Sequence, residues 1–252
     1  MSIILDEREV ARDALETRQL GNKPVETLAL VAKYLRQEDG YSKREVRAKL
    51  DEFMLQCDPR TNLVSWSDML DSLAKQSDKH PLKCVDGIGI TQAELDTISG
   101  VDSIQLQRLA FTLLCVSKYW DIVRPENNGW VNAQDKEIML MANVRTSVQR
   151  QSAMYNRLWS QGLIGYSRRV DNLNTQVLFT DKEGEPVLYV SDFRNLGNQY
   201  MLYKGAPYIR CTQCGLAVKK NSNRQKYCPS CAAEAYVQRS VESVTRGRTP
   251  NT

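Results

Sequence analysis

Histidine is almost absent: His80 is the one imidazole in 252 residues. A histidine-rich metal site is thereby excluded, and a catalytic triad would have a single possible base. Long apolar runs are missing too. The longest, Leu28 to Ala32 and Ile138 to Ala142, are five residues, against the roughly 18 that a membrane-spanning helix requires. Neither a Gly-x-x-x-x-Gly-Lys-Ser/Thr phosphate loop nor a His-Glu-x-x-His motif occurs, and His80 has no evident partner, so the sequence predicts a protein that is not an enzyme. The opening residues Met1 to Glu7 carry Asp6 and Glu7 where a secretory leader needs a basic segment and a long apolar stretch. A cytoplasmic protein is expected. Internal repeats are lacking, and the Arg-Gly-Arg-Thr-Pro stretch at 246–250 has too little apolar content to order itself.

What is present is ordinary globular material, 42% apolar and 25% charged, in a chain long enough for one large domain or two small ones. The net charge of +4 hides an asymmetry. From Lys204 onward nine basic residues face only Glu234 and Glu242, so this segment carries +7 and the preceding 203 residues −3. Local basicity of this kind marks a polyanion-binding surface rather than a generally cationic protein. The seven cysteines are also uneven: Cys57, Cys84 and Cys115 stand alone as expected core thiols, whereas Cys211, Cys214, Cys228 and Cys231 are paired.

Helix signals dominate. Asp6 with Glu9 and Ser42 with Glu45 form capping-box patterns, Pro24 opens a helix at its favoured first turn, and Gly21 and Gly40 supply stops. A further amphipathic helix is expected around Trp66 to Ala74. Residues 1–80 therefore read as an N-terminal helical domain. A joint at 81–101 carries a hairpin signal around Asp86-Gly87 and a short helix capped by Thr91 and Glu94. His80 falls in a loop beside Pro81. The stretch from Ser103 to about Val123 is apolar nearly all round and predicts a buried central helix.

Within 102–203, Asn132 is expected to cap a short helix through Ala142, Asn143-Val144 to make a turn, and a longer helix to run from Arg145 to Gln161, ended by Gly162. Two runs of strand formers follow, Leu163 to Ser167 and Thr175 to Thr180, joined by Asp171-Asn172-Leu173-Asn174. Helix, turn, helix, hairpin is the order of a winged helix-turn-helix, whose second helix enters the major groove. On the longer helix Val148, Met154, Tyr155, Leu158 and Trp159 share one half, and Arg145, Gln149, Arg150, Asn156 and Arg157 the other. Guanidinium and carboxamide forks suit base edges and phosphates alike. From Ile138 to Val170 there is no Asp or Glu, while Arg145, Arg150, Arg157, Arg168 and Arg169 supply five cations. The competing interpretation is that Arg and Gln merely solvate an ordinary helix. Trp66, Trp120, Trp130 and Trp159 are expected in the core or at domain contacts rather than as base-stacking platforms.

Cys211-Thr212-Gln213-Cys214 and Cys228-Pro229-Ser230-Cys231, 13 residues apart, have the spacing of a four-thiolate zinc ribbon at 204–235. Four sulfurs fill a tetrahedron and leave no position for water, so one structural Zn2+ is expected. Two disulfides would conflict with a reducing cytoplasm, and a redox dithiol would not need two matched pairs. Between the pairs, Lys219, Lys220 and Arg224 either contact phosphate or serve solubility. A basic helix and tail occupy 236–252.

At Asn132 to Thr180 the chain resembles the winged-helix DNA-binding domains of bacterial and phage regulators and replication-initiation proteins, and at Cys211 to Cys231 it resembles zinc ribbons. The whole order, with Arg194 to Tyr200 and Lys226 to Pro229, is similar to proteins encoded by phages and other mobile elements of bacteria. That resemblance implies DNA handling during replication or transcription of such an element, without a named reaction. The expected fold class is thus mainly α with small β (α+β): an N-terminal helical unit, a winged helix-turn-helix and a C-terminal zinc ribbon. The leading functional expectation is a non-enzymatic protein that binds double-stranded DNA. The alternative is a protein-interaction adaptor that docks the winged helix and zinc ribbon on an acidic partner, with the N-terminal domain as a further protein contact.

Overall fold

The structure, a computed structural model, describes residues 3–168 and 174–246. Mainly helical, it carries three small two-stranded antiparallel sheets. The chain divides into two compact units, Ile4–Asp86 and the part from Gly87 onward. Among the described residues no helix is long and apolar enough to cross a membrane.

The first unit holds α1 (Glu7–Thr17), α2 (Pro24–Gln37), α3 (Lys43–Cys57) and α4 (Leu63–Gln76). Asp6 caps α1 by accepting from the backbone N–H groups of Arg8 and Glu9 at 2.9 and 3.0 Å, and the Ser42–Glu45 box is closed in both directions. α1 stops earlier than Gly21, at Arg18, which takes the left-handed conformation (φ 56°). Leu28, Val31, Val46, Leu50 and Leu70 are fully buried in the shared core. The unit's ends are zipped together: the Glu7 N–H donates to the Lys83 carbonyl at 2.8 Å and that of Val85 to Leu5 at 2.9 Å. Of the lone cysteines, Cys115 is buried as expected, Cys57 is half-buried, and Cys84 is exposed; it sits on the closing bridge to Asp6.

The second unit begins with β1 (Ile88–Thr91), α5 (Gln92–Ser99) and α6 (Ile104–Val123). The expected hairpin at Asp86-Gly87 does not form. β1 instead pairs antiparallel with β4 (Pro186–Val190), with Ile88 opposite Val190 and Ile90 opposite Leu188. The glycines explain the choice, because a Cβ on Gly87 would strike the Tyr189 ring and one on Gly89 the Pro186 ring. α6 is buried on nearly every side, from Leu106 to Tyr119, and is the axis of this unit.

Next come α7 (Asp135–Met141), α8 (Val148–Ser160), β2 (Ile164–Tyr166) and β3 (Thr175–Val177). β2 and β3 pair antiparallel, Ile164 opposite Val177. The other edge of β3 takes the segment before α7, through the Trp130–Gln176 bridge and a Val131 N–H to Thr175 carbonyl bond of 2.9 Å. The order is helix, turn, helix, hairpin, as expected from the sequence. Asn132 does not cap α7. It adopts φ 47° and exchanges side-chain hydrogen bonds with Asn127 and Asn174, which leaves Gln134 at the helix start. The chain closes with α9 (Leu196–Tyr203), β5 (Tyr208–Arg210), β6 (Ala217–Lys219) and α10 (Pro229–Arg246).

Candidate metal centre and nucleic-acid interface

β5 and β6 form a hairpin, Tyr208 opposite Lys219 and Arg210 opposite Ala217, and its loop carries the first cysteine pair. The Cys211 N–H donates to the Leu216 carbonyl and the Gly215 N–H to the Cys211 carbonyl, both at 2.9 Å. Gly215 at φ 72° permits this tight turn. The second pair lies at the start of α10, which begins at Pro229 rather than near 236; Cys228 precedes it and Cys231 sits in its first turn. A 3.0 Å bond from the Thr212 N–H to the Lys226 carbonyl holds the two pairs together.

All four sulfurs lie within 4.8 Å of one another, with Cys214 and Cys228 Sγ 3.8 Å apart. A tetrahedron with arms of about 2.3 Å has edges of about 3.8 Å, so the four thiols fit around one metal ion. Burial pushes the Cys211 thiol up, but backbone N–H donors from Cys228, Cys214 and Gln213, joined by the Cys214 thiol, carry it down to about 6. Burial and the three neighbouring thiols push Cys231 the other way. None of the seven cysteines is in a disulfide. The local core is small: Cys211, Cys228, Cys231 and Val218, with Ile209, Cys214 and Leu216 against it. Most of what it buries is cysteine.

α8 is capped by Ser147, which accepts from the Arg150 N–H at 3.4 Å. Arg145 therefore lies in the turn before the helix and not on it. Met154, Tyr155 and Leu158 are buried, and burial together with Asp135 raises the Tyr155 phenol well above the ordinary tyrosine range. Val148 and Trp159, expected on the inner half, are 74% and 56% exposed. The stripe that meets the rest of the unit is narrow, and both helix ends overhang it. Gln149, Arg150 and Asn156 are exposed as expected. Arg157 is exposed but paired, its guanidinium donating to Asp102 Oδ2 at 3.0 and 2.6 Å. The acid-free window is thus answered at one position by a carboxylate from outside it. Arg168 is exposed beyond β2, and Arg169 lies outside the described residues, as does most of the turn at 171–174. Lys219 and Arg224 are exposed and Lys220 is half-buried.

Sequence reasoning missed the part that joins these features. α9 packs against α6, with Tyr200 and Phe111 ring centroids 5.3 Å apart and the Tyr200 hydroxyl donating to Gln107 Oε1 at 3.1 Å. On its other side it carries the cysteine hairpin. Asn198, 3% exposed, donates to the Ala217 carbonyl at 2.9 Å and accepts from Asn143 Nδ2 at 3.0 Å and from Arg108 at 2.9 Å. Arg108 also donates to the carbonyls of Ala142 and Asn143, and its burial draws the guanidinium below the usual arginine range. One carboxamide thus links the cysteine hairpin, the turn between α7 and α8, and α6. The sequence signal was two amides and a glycine inside an apolar run, Leu196-Gly197-Asn198-Gln199-Tyr200. Arg194 adds a second tie, donating to the Cys214 carbonyl at 2.6 Å while paired with Asp192.

Comparison of the chain with protein-family models, with curated proteins and with solved structures finds no match.

Proposed function

We propose that this chain is a non-enzymatic protein that binds double-stranded DNA through α8, with the β2–β3 hairpin alongside and a single structural Zn2+ in the cysteine cluster. The observation that carries this reading is the exposed face of α8. Gln149, Arg150 and Asn156 project from it, and none has a side-chain partner among the described residues, so their donors are free for base edges and phosphates. The stretch from Ile138 to Val170 contributes no carboxylate that would repel a phosphate, and the carboxylate that does approach α8, Asp102, is paired with Arg157. Zinc suits four thiolates in a closed tetrahedron, where the ion supplies folding energy rather than chemistry. Replication or transcription control of a mobile element of bacteria is the role such a protein fits.

Titration of a random-sequence duplex at several salt concentrations tests this. Wild-type binding is expected to weaken steeply with salt, and Gln149→Ala/Arg150→Glu/Asn156→Ala is expected to abolish it. A second reading, an adaptor for an acidic protein partner, draws on the exposed Val148, Trp159 and Leu140 (76% exposed). Absence of duplex binding by the wild type would favour it.

A further inference from the structure

A groove of about 700 Å3 runs between the turn that precedes α8 and the cysteine hairpin. One wall is the α7–α8 connection and the other comes from β6, the loop after it and Pro229. Met139, Val144 and Val218 give it an apolar floor, while the exposed Lys136, Arg145 and Lys219 stand on its rim. No carboxylate lines it. All three cations are exposed, and among the described residues none has an ion pair or a side-chain hydrogen bond. Elsewhere in the chain Arg8, Lys33, Lys118 and Arg157 are each matched by a carboxylate.

The walls are held in place. Asn198 bonds to Asn143 of one wall and to the Ala217 carbonyl of the other, and across the loop the Asn221 N–H donates to Gln225 Oε1 at 2.7 Å. The groove reaches the N-terminal end of α8, where Arg145, Thr146 and Gln151 belong to its lining. Three unpaired cations at the rim, an apolar floor that suits sugar carbons and no acid anywhere in the lining match one kind of ligand: an extended polyanion with an apolar edge. We infer that this groove carries the sugar–phosphate backbone of the DNA engaged by α8, so that the cysteine unit and the helix-turn-helix grip one duplex together. The inference rests on the DNA-binding reading above and extends it from a helix face to a track that includes Lys136 and Lys219.

Anisotropy titrations of one random-sequence duplex over a range of salt, with the metal-loaded full chain, separate the two claims. The groove variant Lys136→Ala/Arg145→Ala/Lys219→Ala is compared with Lys79→Ala/Lys182→Ala/Lys204→Ala, which removes the same charge elsewhere. Each neutralised phosphate contributes about 0.9 to the slope of log affinity against log salt. The groove variant is therefore expected to flatten that slope by about 2.7 while the matched variant leaves it within one-third of that change. If the groove variant behaves like the matched one, yet the α8 variant loses binding, the groove inference is overturned and the α8 reading stands. If the wild type binds no duplex at any salt, both fall.

Discussion

Gly197 and Glu94 show how much of this fold rests on single side chains, or on the lack of one. Gly197 lies inside α9, where alanine would ordinarily add about 1 kcal/mol of helix stability. Here a Cβ would run into the Ala142 carbonyl and crowd the Arg108 guanidinium. Gly197→Ala is therefore expected to reverse the usual sign and lower stability by about 2 kcal/mol, seen as a lower urea midpoint at unchanged m-value. Glu94 is fully buried and accepts four bonds, two from Lys118 Nζ and one each from the Thr91 and Asp181 backbone N–H groups, all at 2.9 Å. Glu94→Gln keeps the shape but strips Lys118 of its carboxylate. Breaking a buried pair from one side costs about 3 kcal/mol or more, and a thermal-unfolding series in which Glu94→Asp falls between wild type and Gln would show that charge, not volume, sets the loss. Capping residues such as Thr91 and Ser42 were legible in the sequence because their partner is three residues away. Glu94's bond to Lys118 was not, because its partner is on another helix.

Among the elements, the cysteine hairpin and the start of α10 depend most on something other than packing. Their core is largely cysteine, so, with the proposed metal in place, chelating it is expected to unfold them while the α6-centred core stays folded. Because thiolates bind metal and thiols do not, metal retention is expected to be full near neutral pH and to fail as pH falls, with protons taken up as the ion leaves. Colorimetric metal release followed alongside amide hydrogen exchange at 208–232 checks this, and exchange protection surviving full chelation would contradict it. The two cysteine pairs were readable from spacing alone, since a two-residue gap is a local constraint. The central helix and the helix–turn–helix–hairpin order were readable from periodicity, which is local as well. What could not be read was pairing at a distance. Gly87 looked like a turn residue because turns are where glycine is commonest, whereas its role is to let β4 approach. α9 was overlooked because its buried amides disguise an inward-facing helix as a polar stretch.

At the scale of the molecule, the boundary at Asp86/Gly87 separates two different designs. From Gly87 onward the chain is organised around α6 and the four-cysteine cluster. The unit Ile4–Asp86 has neither, and holds together through a helical core in which Leu28, Val31, Val46, Leu50 and Leu70 are wholly buried. Its two ends are bonded to each other through Leu5–Val85 and Glu7–Lys83, and Lys33 closes on Glu7 at 3.0 Å. A unit whose core is its own and whose termini meet has what autonomous folding needs, even at a size where stability is marginal. Residues 4–86 produced alone are therefore expected to unfold cooperatively in urea, with coincident transitions by circular dichroism and by the fluorescence of Trp66. Leu50→Ala in that fragment should remove about 3 kcal/mol, a large share of what so small a core can supply, and shift the fragment to a substantially unfolded population at 25 °C. A fragment without a cooperative transition would mean that the core identified here is incomplete, and that the rest of the chain supplies part of the stability of the N-terminal helices.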